Sequence, residues 1–451
     1  LKTHTPEDTL AFIQETVETL TRHPYEIYHV SKRSEVIESK DEAIDGYETA
    51  ATEGIAIRIL RDSRMGFGYT TSLDSEGIEK TVRQALDSLE VAEQDPAHEF
   101  LDAAVPYPTL DLSDPALESL GAGRKTEMAI SIEHAARAFD PRVKQVRNAQ
   151  VSLREARIRL VNAFGLDRSY TVTGISAAIM LTAEEGGISE YGWESASGHF
   201  LREIAFEEVG ARAAEKAVTR LGGRPVKSGE YPALFDREVA AEILDLLASS
   251  FTGENLYKGK TMLKGKEGEA VFSPLLTLHD GLLFEQGMAA APFDGEGEPG
   301  RKTALIEQGV VAGFLYDHYY AKKMGALSTA NAVRGGISAP PACGTTNLFL
   351  APGETSFDDM LKDIAEGFYV QELMGLHTAN PITGEFSLGA SGQWIKNGER
   401  AHPVRGVAVS GNLFDLLKRV EIVGNDLRWF GAIGTPSLLV GALTIAGTGK
   451  S

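Results

Sequence analysis

The chain has 451 residues, 43% of them apolar and 24% charged, a composition that excludes wholesale disorder. Its length suggests two or three domains, each with enough sequence for a core of its own. With 44 Lys and Arg against 64 Asp and Glu the net charge is −20. A surface that acidic repels phosphate backbones and anionic lipid, which argues against direct nucleic-acid or membrane partners. The single cysteine, Cys343, excludes an intrachain disulfide and any Cys-rich metal site, and fits a reducing compartment. The least polar stretch, near Pro436–Gly447, is too short to span a bilayer. The amino terminus has no apolar core after a basic start, so it does not read as a secretory signal. It lacks an initiator Met, which leaves room for residues before Leu1. A soluble, cytoplasmic protein is expected.

In chain order, Thr5-Pro6-Glu7-Asp8 reads as a helix start, with Thr5 as cap and acids at the positive dipole end. Leu10, Ile13, Val17 and Leu20 then keep helical spacing. Strands are expected at Tyr25–Val30 and Gly54–Leu60, and helices at Ser75–Glu93 and Lys125–Phe139. From Val143 to Thr182 the text alternates and is rich in β-branched residues, which predicts strands. Arg202–Leu221 returns to helix, with Ala213, Ala214, Ala217 and Val218 inward. Gly222-Gly223-Arg224-Pro225 breaks it. The domain boundary is placed here, giving an N-terminal unit of residues 1–222 and a C-terminal unit of residues 223–451. Beyond it, Arg237–Ser250 reads as helix, followed mostly by short strands and Gly-rich turns, with helices at Phe357–Glu366 and Leu413–Val420. Strands and helices come in blocks, so the fold class expected is α+β. The first unit should mix helices with an antiparallel sheet, and the second should be β-rich with few helices.

Local motifs give little chemistry. Gly295-Glu296-Gly297-Glu298-Pro299-Gly300 matches G-x-G-x-x-G, but two glutamates would face the phosphates and a strand follows, so a turn is expected. The tail Gly447–Ser451 imitates the end of a P-loop whose first glycine would be Thr444. His98-Glu99 opens like a zincin motif, but Asp102 stands where the second His belongs, and a loop is expected. Gly389-Ala390-Ser391-Gly392-Gln393 misses the last glycine of a nucleophile elbow.

Two longer segments carry a stronger signal: Gly375 to Gly392, through His377-Thr378-Ala379-Asn380-Pro381, and Val409 to Leu427, through Ser410-Gly411-Asn412-Leu413. Together with Phe293-Asp294-Gly295, Thr346-Asn347-Leu348 and Gly434-Thr435-Pro436-Ser437, they resemble the C-terminal domain of the PmbA/TldE branch of the TldD/TldE family, long labelled modulator of DNA gyrase. The resemblance is specific from about Tyr231 onward. It implies a role in proteolysis. In this family TldD-type subunits carry an H-E-x-x-x-H helix that binds zinc with a later Cys, and TldE-type subunits pair with them and lack that site.

Laid on that motif, Asp236-Arg237-Glu238-Val239-Ala240-Ala241-Glu242 puts Arg237 and Glu242 at the ligand positions and keeps Glu238. A guanidinium stays protonated and cannot ligate zinc, and no cysteine counterpart follows. The resemblance therefore implies no catalytic and no metal-binding residue in this chain, with zinc expected in a TldD-type partner. Arg237 and Glu242 are otherwise read as exposed positions on an amphipathic helix, and Glu238 as an ordinary helix-start acid. His377, Asn380 and Asn412 are candidate contacts to substrate or partner, set against turn roles for the first two and a helix cap for Asn412. The leading expectation is a non-catalytic subunit of a heteromeric zinc peptidase, with a TldD-type paralogue and a peptide or unfolded protein as partners. The alternatives are an autonomous hydrolase with a non-local site, such as His377 with Glu385 or Asp426, and a homodimeric peptide-binding module.

Overall fold

Several helices of this chain start where a short polar side chain takes one of the first free backbone N–H groups. Asp74, Asp114, Asp236, Asp317, Ser356 and Asn412 each accept from a backbone N–H two or three residues on. The structure, a computed structural model, describes residues 6–102 and 106–449. The Thr5 cap and the last two residues of the P-loop-like tail lie outside the described residues.

The N-terminal half runs α1 (Pro6–Leu20), β1 (Tyr25–Lys40), β2 (Ala43–Arg61), β3 (Arg64–Thr70), α2 (Ser75–Val91), α3 (Pro115–Ser119), α4 (Ala122–Phe139), β4 (Val143–Asn162), β5 (Asp167–Glu185), β6 (Ile188–Gly198) and α5 (Phe206–Arg220). Its strands form one antiparallel six-stranded sheet in the order β3-β2-β1-β4-β5-β6. The sequence marked only the apolar ends of β1 and β2; both strands run far past them, through polar text that alternation does not flag. Ile27, Ile55, Ile57 and Ile59 meet Ile78, Val82 and Leu89 of α2 and Leu10, Ile13 and Val17 of α1 in one buried cluster. Gly66 on β3 permits that packing, because a Cβ there would stand 2.1 Å from the Ala85 carbonyl oxygen of α2. A second cluster packs Met128, Ile132 and Ala136 of α4 and Ala213, Ala214 and Ala217 of α5 on Val151, Ile175 and Ile179.

The C-terminal half contains β7 (Gly229–Phe235), α6 (Arg237–Ala248), α7 (Gly253–Tyr257), β8 (Leu278–Gly281), β9 (Lys302–Glu307), β10 (Val310–Val311), α8 (His318–Met324), β11 (Ala332–Val333), β12 (Ala342–Cys343), β13 (Leu348–Leu350), α9 (Phe357–Lys362), β14 (Glu366–Met374), β15 (Glu385–Lys396), β16 (Glu399–Asn412), α10 (Leu413–Lys418), β17 (Val420–Val423), β18 (Arg428–Phe430), β19 (Ile433–Thr435) and β20 (Leu438–Ala446). Strands β16-β15-β14-β7-β20 pair in that order, and β16 pairs back onto β20, so the sheet closes into a barrel. A second sheet, β10-β9-β8-β13-β19-β18, ends on β18. Most strands here are short, as the sequence leads one to expect, but β14, β15, β16 and β20 have 9 to 14 residues. Glycines at 389, 392, 406 and 411 lie within these strands. Helix α6 lies on the barrel through Val239, Ile243, Leu244 and Leu247, which join Phe235, Phe368 and Leu438 in the largest cluster. The whole is α+β. Among the described residues no helix is long and apolar enough to cross a membrane.

Candidate functional site

Helix α6 stands between the two halves, and its faces differ in chemistry. Asp236 caps it by accepting from the Glu238 N–H at 3.0 Å, and its other carboxylate oxygen accepts from the Tyr369 hydroxyl at 2.6 Å. Arg237 turns toward the loop before β18, where its Nε lies 3.6 Å from Asp426 Oδ2 and its Nη1 donates to the Asp426 carbonyl at 3.4 Å. Asp426 also accepts from the Ser437 N–H at 2.9 Å and the Ser437 hydroxyl at 2.8 Å.

Glu238, Ala241, Glu242 and Asp245 recur at helical spacing along one face of α6. They form one wall of a cavity of about 500 Å³. Opposite are Trp193, Ser195 and Ser197 of β6 and Trp429 and Phe430 of β18. Both strands are edges of their sheets, so two rows of ladder positions border this space. Glu238 pairs with Lys216 of α5, which also lies 2.8 Å from Glu194. Burial alone would lower the Lys216 pKa, but these two carboxylates hold the ammonium above its ordinary value.

Glu242 is different. Its Oε2 is buried without a hydrogen-bond partner. Burial pushes its carboxyl up to about 7, with the Glu238 charge adding and Lys216 opposing. The expectation that Arg237 and Glu242 are exposed helix positions is thus corrected: both are partly buried and both line cavities. The sequence hid this because the N-terminal sheet, distant in the chain, covers this side of α6.

The other candidates lie elsewhere. His377 is exposed in a single 3-10 turn, Leu376–Thr378. Asn380 shapes the following turn, its Oδ1 accepting from the Ile382 and Thr383 N–H groups at 2.9 and 3.1 Å. Asn412 caps α10 and donates from Nδ2 to the Thr383 carbonyl at 2.7 Å. Asn380 and Asn412 therefore meet on one turn, whereas none of the three lines the cavities beside α6. Cys343 is buried on β12, 3.2 Å from the Leu315 carbonyl, and burial pushes its thiol up to about 11. The glycine-rich run 295–300 is a tight turn in which Glu296 is buried against Arg58. His98 lies in a loop against the Tyr319 ring. Residues that local motifs missed are Lys216, Trp193, Gln371, Arg400 and Trp429, each unremarkable in its own stretch of sequence.

Models of the PmbA/TldA metallopeptidase family match residues 25–89 (domain 1), 115–221 (central domain) and 228–447 (C-terminal domain). The metalloprotease PmbA of Escherichia coli O157:H7 is 30% identical over 408 residues, covering 90% of this chain and 88% of that one. The chain belongs to the PmbA/TldD metallopeptidase family. Within that family it is 25% identical to a TldD homologue of Buchnera aphidicola over 88% of its length and 86% of the relative's. Among solved structures, a modulator-of-DNA-gyrase chain from Thermotoga maritima superposes with a TM-score of 0.89 at 30% identity, over 98% of this chain and all of that one. TldE from Thermococcus kodakarensis shares the fold at a TM-score of 0.90 and 24% identity, over 97% of this chain and all of that one.

A metallopeptidase family raises the question of zinc. The donors on α6 do not suit it. Arg237 is a permanent cation engaged with Asp426, and Glu238 is neutralised by Lys216, which leaves Glu242 without an imidazole or thiolate beside it. Among the described residues no three His, Cys, Asp or Glu side chains stand close enough to hold a metal ion.

Proposed function

We propose that this PmbA/TldD-family chain is the non-catalytic subunit of a two-chain zinc peptidase, holding an extended peptide while a TldD-type partner provides metal and activated water. The observation that carries the reading is the donor set on α6, Arg237, Glu238 and Glu242, at the place where the resemblance puts the family's metal helix. The cavity beside that helix supports a holding role. It is bordered by two sheet edges and by Trp193 and Trp429, which offer backbone pairing and apolar contact to a strand-like ligand. Zinc belongs to the partner in this reading, and cytoplasmic peptides or unfolded segments are the substrates.

Reconstitution with a TldD-type paralogue tests it. Peptide cleavage by the partner alone is expected to fall about a hundredfold below that of the mixture, the scale of loss when a substrate is no longer positioned. Zinc measured by elemental analysis should follow the partner and stay well below one equivalent in this chain. Full activity of the partner alone overturns the proposal, as does one tightly held zinc in this chain.

A further inference from the structure

At the amino terminus of α6 a separate pocket of about 340 Å³ is lined by Arg212, Lys216, Arg237, Arg400 and Arg428. Such a cationic concentration stands out on a chain of net charge −20. Most of the facing acids are already committed. Glu194 takes Lys216 and Arg428, Asp236 takes the Glu238 N–H and the Tyr369 hydroxyl, and Asp426 takes both donors of Ser437. Glu215, the remaining acid of the lining, is exposed. Arg212 pairs with Glu208 of its own helix.

Two guanidiniums keep donors to spare. Arg237 reaches Asp426 only at 3.6 Å and 3.4 Å. Arg400 lies over the rings of Phe357 and Tyr369, 5.3 and 5.1 Å from their centroids. Stacked there, its planar fork is held in orientation while its N–H groups stay available. On the same lining is Gln371, whose side-chain Oε1 is buried with no hydrogen-bond partner. An orphaned acceptor beside guanidiniums that still have N–H groups to spare suits a ligand that brings an anion and an N–H together. A fully ionised anion such as sulfate brings the charge alone, and an internal peptide segment the N–H alone. The last residue of a peptide brings both.

We propose that this pocket holds the C-terminal residue of a peptide, its carboxylate on Arg237 and Arg400 and its N–H on Gln371 Oε1. The proposal rests on the peptide-holding reading above and adds a polarity to it, since it fixes which end of the ligand lies at the start of α6.

Fluorescence anisotropy on the full chain tests it with a labelled pool of random octapeptides, once as free acids and once as C-terminal amides. The free acids are expected to bind roughly tenfold to a hundredfold more tightly at low salt, the usual worth of a charge-assisted pair. The ratio should fall toward one in Arg400→Gln, a change that breaks none of the described ion pairs and should leave the melting temperature in place. Arg237→Gln should lower it likewise. Equal binding of acids and amides overturns the carboxylate pocket and leaves the peptide-holding reading standing. A preference that survives the double variant also overturns it. Binding of neither form overturns both.

Discussion

At the scale of single residues, Glu242 is the most informative position beside α6. An acid whose Oε2 is buried without a partner is a cost to folding whenever it is ionised. Its folded pKa of about 7 lies above its ordinary value of 4.5, so between these pH values the folded state binds more protons than the unfolded state. Stability must then fall as pH rises through that window, by at most about 1.4 kcal/mol per pH unit, and less with solvent still reaching part of the side chain. Glu242→Gln keeps the shape and removes the charge. We expect it to raise stability at pH 8 by about 1–2 kcal/mol, with little change at pH 4.5. Urea melts of the two proteins at both pH values check this, and equal slopes against pH would show that Glu242 is already paired. Arg237 and Glu242 could be singled out in the sequence only through family resemblance. Their burial could not be read there, because the residues that cover them, Trp193 and Lys216, lie 26 or more positions upstream of Glu242.

Elements were legible where their signal was local. Helices α1, α2, α4, α5, α6, α9 and α10 were legible, most of them through apolar spacing, which acts within a few residues. The long hairpins were not, and their turns show why. Gly186-Gly187 and Asn397-Gly398 carry the positive φ of two-residue loops in residues that advertise it, but Asp41-Glu42 and Asp62-Ser63 adopt the same geometry without glycine. Non-glycine residues pay for that conformation, on the order of 1 kcal/mol each. The loop between β2 and β3 offers a clean test, because Ser63 has φ 60° and none of the described hydrogen bonds uses its hydroxyl. Ser63→Gly is expected to stabilise the protein by about 0.5–1 kcal/mol, the strain relieved less the added entropy of the unfolded chain. Thermal unfolding would register this as a small upward shift, and a downward one would mean that the added entropy of the unfolded chain outweighs the strain relieved. The candidate peptide site belongs to no single element. It exists only where β6, α6 and β18 come together, so no window of sequence could display it.

The molecule as a whole depends on how its two halves are joined. Where the N-terminal sheet faces away from α1 and α2, Arg58 of β2 donates to both oxygens of Glu26 at 2.9 and 2.7 Å, and to Glu296 of the C-terminal half at 3.1 Å. Arg334 completes the set by pairing with Glu26 and donating to the Gly295 carbonyl at 2.6 Å. Two guanidiniums thus balance two carboxylates, and all four side chains are at least nine-tenths buried. Such a group adds little net stability when complete, because desolvation offsets attraction, but removing one member strands a buried charge. Arg58→Met should therefore cost about 3–5 kcal/mol, and Glu296→Gln less, since Arg58 keeps Glu26. If the network acts as a unit, the double variant will cost less than the two losses added, with a coupling of about 1–3 kcal/mol. That coupling would measure how firmly β1 and β2 are held to the Gly295–Glu296 turn and Arg334, while β6 is joined to α6 and β18 directly through Glu194, Lys216, Glu238 and Arg428. Additive losses in urea unfolding would show instead that Arg58 and Glu296 contribute independently and that the four side chains do not act as a unit.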